Sequence, residues 1–197
     1  MSIYWSIDLD FWSHTRHISF STKFFDTLLK RNVPIALVKS HGHMLSHVKK
    51  FHFDTLVNTD HHSDIGDAIS GQKPYLNEGT WVNHVPWARN KTFVWYYPTA
   101  VCTSYKDYSG YCHEQYNPFI RKDASGWGDI RKEMSCIPRG NIVAIGIALS
   151  PGWTAKRHML EFARWLSKQD RVKVYPAARK FLLTKLPGYK AWFNLEN

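Results

Sequence analysis

Thr55-Leu56-Val57-Asn58-Thr59-Asp60-His61-His62-Ser63-Asp64 is the stretch that decides the fold. Thr55 to Val57 are apolar or β-branched and read as a short strand leading into Asp60. The chain then turns polar at once, with Asp60, His62 and Asp64 at alternate positions. In α/β folds, ligands bind beyond the carboxyl ends of the strands, so a strand that runs into such residues points to that class. Carboxylates mixed with imidazole in a tight loop suit a divalent cation. For a lone D-x-H-x-D, the plainer alternative is a polar loop whose aspartates cap the following turn.

The same pattern recurs at two other strand ends. Ile3 to Leu9 reads as a strand, and Ser6-Ile7-Asp8-Leu9-Asp10 closes it. Asp8 continues an apolar run, so it is expected to be buried, and a buried carboxylate needs a cation or several donors. Pro34 to Val38 is a short apolar run read as a buried strand, and Ser40-His41-Gly42-His43 follows it. Either His41 or His43 can serve as a ligand there; a solvated or capping histidine is the alternative for each. Together the three ends offer four aspartates and two histidines. Four carboxylates balance two divalent cations, and a hydroxide between the ions leaves the site net negative. A cationic substrate group suits such a site.

Working outward, strand and helix patterns alternate. Phe24, Phe25, Leu28 and Leu29 recur at helical spacing after a candidate cap at Ser21. Met44 to Phe51 reads as a short helix, and Thr92 to Tyr97 as an aromatic, β-branched strand. Residues 99–139 are rich in Tyr, Gly, Ser, Pro and charge and form a long excursion of the kind that carries function. Asn141 to Leu149 is an apolar strand, and a helix begins at Thr154 with Met159, Leu160, Phe162, Ala163, Trp165 and Leu166 on its buried side. Val172 to Tyr175 is a strand, and Pro176 to Leu183 a helix with Pro in its first turn. The alternation predicts an α/β fold with a mainly parallel sheet flanked by helices. No repeat or low-complexity linker divides the chain, so residues 1–197 are expected to form a single domain.

Composition bounds the rest. The formal net charge is +10, which favours an acidic partner such as nucleic acid, an acidic peptide or a membrane surface. The three cysteines, at 102, 112 and 136, include no C-x-x-C pair, which argues against a disulfide framework and a cysteine zinc site. A reducing cytoplasm is the expected compartment, with no signal peptide and no apolar run of transmembrane length. With 9 Trp, 10 Tyr and 11 Phe, some rings are expected to face a groove rather than a small core.

The motif set resembles that of the ureohydrolases, arginase and its relatives. Asp60, His62 and Asp64 match their D-x-H-x-D segment; Ser6, Asp8 and Asp10 match S-x-D-x-D; His41, seven residues after Pro34, matches a ligand histidine that closes a strand. The S-x-D-x-D segment comes late in arginase and first here, and this chain is much shorter. It is more similar to a small arginase-like family with an early D-L-D and a later D-x-H-H-x-D. That family includes peptide arginases, which convert arginine to ornithine in ribosomally made peptides. Gly79-Thr80-Trp81 and Leu149-Ser150-Pro151 carry the same resemblance.

The resemblance implies a three-layer arginase-like fold and two manganese ions. Asp60 and Asp8 would bridge them, with His41 and Asp64 completing one ion and His62 and Asp10 the other. It implies hydrolysis of an arginine side chain to ornithine and urea within a precursor peptide. The substrate-contacting acid of arginase has no counterpart in Ile147 to Pro151, so Glu78 is the candidate from another loop. His84 is the nearest candidate for the proton-shuttling histidine, at a different spacing. Tyr105, Tyr108, Tyr111 and Tyr116 are candidates to line a peptide groove, and the basic surface to attract an acidic leader segment.

Other readings compete. A metal-dependent phosphoesterase or nuclease would also use D-x-D, histidine-rich loops and positive charge. In the haloacid-dehalogenase version, a Thr or Val follows two residues after the second Asp, and here that residue is Trp12. A deacetylase of the wider fold uses one zinc and does not need both D-x-D carboxylates. A basic nucleic-acid-binding module leaves the Asp/His strand ends unexplained and lacks a recognisable binding motif.

Overall fold

In a computed structural model of the chain, the described residues are 1–13, 20–62, 64, 75–85, 92–96, 120–122 and 138–186. The strands are β1 (Ser2–Asp8), β2 (Ile35–Val38), β3 (Thr55–Thr59), β4 (Thr92–Tyr96), β5 (Ile120–Lys122), β6 (Asn141–Ala148) and β7 (Val172–Val174). The helices are α1 (Thr22–Leu29), α2 (His41–Val48), α3 (Lys156–Leu166) and α4 (Pro176–Lys185). The strands form one sheet in the order β5-β4-β3-β1-β6-β2-β7, and every pairing is parallel.

Helices cover both faces, as the apolar strands require. Successive side chains of a strand point to opposite faces, and β1 divides its side chains between two cores in this way. Ile3, Trp5 and Ile7 join a core with Phe24, Phe25 and Leu28 of α1 and Phe162, Trp165 and Leu166 of α3. Tyr4 faces the other way, into a core with Met44, Leu45 and Val48 of α2 and with Trp81. Each fully buried side chain of this size contributes about 1.5–3 kcal/mol.

The strand beside β1 repeats the alternation with a difference in size. On β6, Ile145 and Ile147 face α1 and α3, whereas Ala144 and Ala148 face α2. Gly146 lies between those alanines, and a Cβ there would overlap the Met44 sulfur and the Tyr4 hydroxyl. The small residues let α2 sit close to the sheet. That brings its first residue, His41, onto the face of β1 that carries Ser6 and Asp8.

Two helix starts differ from expectation. Helix α2 begins at His41 instead of Met44 and ends at Val48 instead of Phe51. Ser40 is extended, its carbonyl accepts the His43 N–H at 2.9 Å, and its Oγ meets His43 Nδ1 at 3.0 Å, so the turn begins earlier than the apolar spacing shows. Helix α3 begins at Lys156 instead of Thr154. The Thr154 hydroxyl is committed to the Leu149 carbonyl at 2.7 Å, and Ser13 Oγ holds the Ala155 N–H at 2.7 Å. Of the long excursion 99–139, only β5 and residues 138–139 are described; Tyr105, Tyr108, Tyr111 and Tyr116 lie outside the described residues. Among the described residues no helix is long and apolar enough to cross a membrane.

Candidate metal centre

The parallel register aligns the strand ends that carry the ligand-type residues. Ile7 of β1 lies opposite Thr59 of β3, and Asp8 lies opposite Ala148 of β6. Asp60 therefore leaves β3 beside Asp8. The Asp60 N–H is anchored by the Tyr96 carbonyl of β4 at 3.0 Å.

In both motifs the first aspartate turns its own backbone. Asp8 Oδ1 accepts the Asp10 N–H at 2.9 Å, starting the 3₁₀ turn Leu9–Trp12. Asp60 Oδ1 accepts the His62 N–H at 2.9 Å. Such Asx turns bring the side chain two residues on back beside the first. That is the physical reason for the alternate spacing in D-x-D and D-x-H. Asp64 has a φ of +57°, a left-handed conformation that aspartate tolerates better than most residues.

His41 Nδ1 lies 3.3 Å from Asp8 Oδ2, 2.9 Å from Asp60 Oδ2 and 2.5 Å from Asp64 Oδ2. His62 Nδ1 lies 3.2 Å from Asp10 Oδ2 and 4.0 Å from Asp60 Oδ1. Two groups are close enough to hold a cation each: Asp8, His41 and Asp60, and Asp10, Asp60 and His62. Asp60 belongs to both, and Asp64 joins the first through His41. The aspartates and His41 are buried, but the His62 side chain is 33% exposed, so the centre is approached from its side.

The electrostatics are those of a site short of positive charge. Burial raises the pKa of Asp8 well above the usual range, and the Asp10 carboxylate adds to the effect. Burial and Asp60 raise Asp10; burial and Asp64 raise Asp60. Burial works against a charged His41, but Asp64, Asp8 and Asp60 outweigh it and push its pKa well up. His62 behaves similarly: burial lowers its pKa, and Asp10 and Asp60 lift it to about 9. Asp10 Oδ1 is buried without a hydrogen bond, and His41 Nδ1 has only carboxylate oxygens facing it. A buried acceptor without a donor, and a buried ring nitrogen enclosed by carboxylates, fit a donor set for divalent cations.

The surrounding side chains fix the ligands in place. Ser6 Oγ meets His41 Nε2 at 2.9 Å. With Nε2–H donating to Ser6, Nδ1 is directed among the carboxylates, where its lone pair would be offered to a cation, the usual way a second partner sets a histidine ligand. Asn58 Nδ2 donates to Asp60 Oδ2 at 3.1 Å, and Trp81 Nε1 donates to Asp64 Oδ2 at 2.7 Å. The Ser150 hydroxyl makes a short hydrogen bond to Asp8 Oδ2, from a backbone with φ +42°. Outside this shell, the half-exposed Trp153 ring meets His62 edge-on, with centroids 5.4 Å apart.

The six expected ligands, Asp8, Asp10, His41, Asp60, His62 and Asp64, thus come together. Of the two histidines on α2's first turn, His41 is the one at the centre; His43 is exposed and bonded to Ser40. His84 is half-buried at the end of the 3₁₀ turn Trp81–His84, whose Trp81 reaches Asp64. Glu78 is exposed, in the loop whose backbone borders Gly42. Neither is in the two ligand groups. The sequence reading assigned no role to Ser150, Trp81 or Asn58. For Ser150 and Trp81 a signal exists, because both lie in the peripheral motifs noted beside the ligand segments. Compared with known proteins, the chain matches no family model, no curated protein and no solved structure.

Proposed function

We propose that this chain is a two-metal hydrolase that acts on the guanidinium of an arginine side chain, within a peptide, to give ornithine and urea. One observation carries the reading: two ligand groups share Asp60, and their buried carboxylates outnumber the positive groups among them. Asp8, His41, Asp60 and Asp64 would hold one ion, and Asp10, His62 and Asp60 the other. A set rich in oxygen with some imidazole suits manganese. When bound, such a pair supplies Lewis acidity and a water of lowered pKa.

The chain's own residues supply the remainder. Ser6 holds the His41 ring, and Ser150 and Asn58 hold Asp8 and Asp60. Four carboxylates would cancel the charge of two divalent cations and leave no net positive charge to attract a phosphate, which speaks against the phosphoesterase alternative. Trp153 stands beside the exposed ligand His62, where a planar cation entering the site can lie against its ring. His84 and Glu78 are the candidates for proton transfer and for contact with the guanidinium. The expected compartment is the cytoplasm.

The test is mass spectrometry and urea release with an arginine-containing peptide and manganese. Ornithine and urea from the wild type, and neither from Asp60→Asn, are expected. Bound metal without urea from the peptide, free arginine or agmatine overturns the guanidine reading. Cleavage of a generic phosphate ester would then favour the phosphoesterase.

A further inference from the structure

The first turn of α2 borders a second feature besides the metal centre. Lys39, Gly42, Leu45, Lys49, Leu76 and Tyr175 line an open groove of about 630 Å³. Gly42 follows His41 directly, so centre and groove share this turn. The groove combines apolar surface with positive charge. Leu76 is 46% exposed and Tyr75 beside it 94% exposed, which leaves large apolar side chains facing water at its edge. Lys50 donates to the Tyr175 hydroxyl at 2.9 Å, and Lys173 lies 5.7 Å from the centre of that ring. Lys39 and Lys49 therefore flank an apolar strip, and Lys50 and Lys173 lie beside its Tyr175. The first turn of α4, with Pro176 and Ala177, also lines it, and its N–H end adds to the positive potential. None of the described lining residues is acidic. His47, buried on α2, is subject to two of these charges: burial first, then Lys50 and Lys173, lower its pKa to about 4.

We infer that this groove binds an acidic, apolar segment of the peptide substrate, away from the arginine that reacts. The inference rests on the hydrolase reading for the identity of the substrate and on charge complementarity for the segment. A nucleic-acid strand fits less well. Leu45 and Leu76 offer nothing to phosphates, and the ring of the half-buried Tyr175 carries Lys50 and Lys173 against it, where a base would have to stack. An amphipathic segment would place carboxylates on the lysines and aliphatic groups on the leucines. The groove would then set which peptide is accepted, while the centre sets which side chain is cut.

The experiment is fluorescence anisotropy with the full chain and a labelled peptide that alternates Glu and Leu, without arginine. Saturable binding that weakens with added salt is expected, as is a loss of about tenfold or more in Lys39→Glu/Lys49→Glu. Equal binding by that variant, or displacement of the peptide by a single-stranded oligonucleotide at lower concentration than by unlabelled peptide, overturns the inference. The salt titration on the wild type tests the same point without any variant: binding that does not respond to salt also overturns it. The two readings fail separately. A short arginine peptide lacking the acidic segment should release urea equally with wild type and Lys39→Glu/Lys49→Glu. Urea release without acidic-peptide binding removes the groove and keeps the hydrolase. Binding that the double variant loses, without urea from any peptide, keeps the groove and removes the hydrolase.

Discussion

Helix α2 buries two histidines in surroundings of opposite sign. His41, 1% exposed, sits among Asp8, Asp60 and Asp64, which push its pKa well up against the effect of burial. His47, 4% exposed, has its pKa lowered to about 4 by burial and by Lys50 and Lys173. Their hydrogen bonding differs too. His47 Nδ1 meets the Tyr4 hydroxyl at 2.6 Å, whereas His41 Nδ1 faces the carboxylates of Asp60 and Asp64 at 2.9 and 2.5 Å. Burial alone therefore does not mark a functional histidine. A neutral imidazole with a phenol partner is a packing element; an imidazole enclosed by three carboxylates is a candidate ligand.

That contrast predicts different responses to change. Asp60→Asn should abolish the effect of manganese on stability: at a hundredfold excess over its Kd, the metal stabilises the wild type by about 2.7 kcal/mol and the variant by none. Without metal, the variant should be at least as stable as the wild type, because one of the crowded carboxylates is gone. Thermal melts with manganese and with chelator check both points. A manganese-dependent rise in Tm that persists in Asp60→Asn would contradict the shared-ligand assignment.

His47→Leu should leave that manganese response intact but destabilise the fold by about 1–3 kcal/mol, since the buried Tyr4 hydroxyl loses its nitrogen partner and keeps only the weak Met44 sulfur acceptor. It should also change the acid profile. A histidine with a lowered folded pKa binds its proton more readily when unfolded, so its contribution is complete above about 6.5 and is lost as the pH falls towards 4. Across that window the wild type should lose about 3 kcal/mol that His47→Leu does not lose. Urea melts at several pH values give the difference directly, and parallel profiles would count against the assignment.

Ser150→Ala removes the donor to Asp8 and should weaken manganese binding about 10- to 100-fold with the fold retained, as titration calorimetry would show. Trp153→Ala should raise KM for an arginine peptide about fivefold, the loss of one exposed cation–π contact of about 1 kcal/mol. Trp153→Phe should recover part of it; an unchanged KM in Trp153→Ala would remove that ring from the substrate's path.

The sequence made the strands legible wherever an apolar run ended in polar residues, as β1, β2, β3 and β6 do. Their neighbours were not legible, because an apolar run does not encode which strand it pairs with. The candidate ligand set could be read because Asx turns impose an alternate spacing that survives in one dimension. His41 and His43 occupy equivalent positions in that dimension, and only the close approach of α2 over Ala144, Gly146 and Ala148 separates them. The start of α2 was missed because it depends on Ser40, a polar residue outside the apolar pattern. Asn58 reads as a strand residue like its neighbours; its hydrogen bond to Asp60 exists only once the loop has turned back.

Strand β6 lies between β1 and β2 although it is made long after both. All six ligand candidates belong to the first 64 residues, yet β2, which leads into His41, pairs only with β6 and β7. A chain emerging from the ribosome therefore has every ligand available before it has a frame to hold them. Until Asn141–Ala148 inserts, no strand pairing links the strand before His41 to the strand that ends in Asp8. Metal capture should thus belong to the last stage of folding, and the long sequence separation of these contacts makes that stage slow. Four carboxylates in an unfinished sheet remain hydrated instead of confined, which delays their mutual repulsion until the structure that can relieve it with cations is complete.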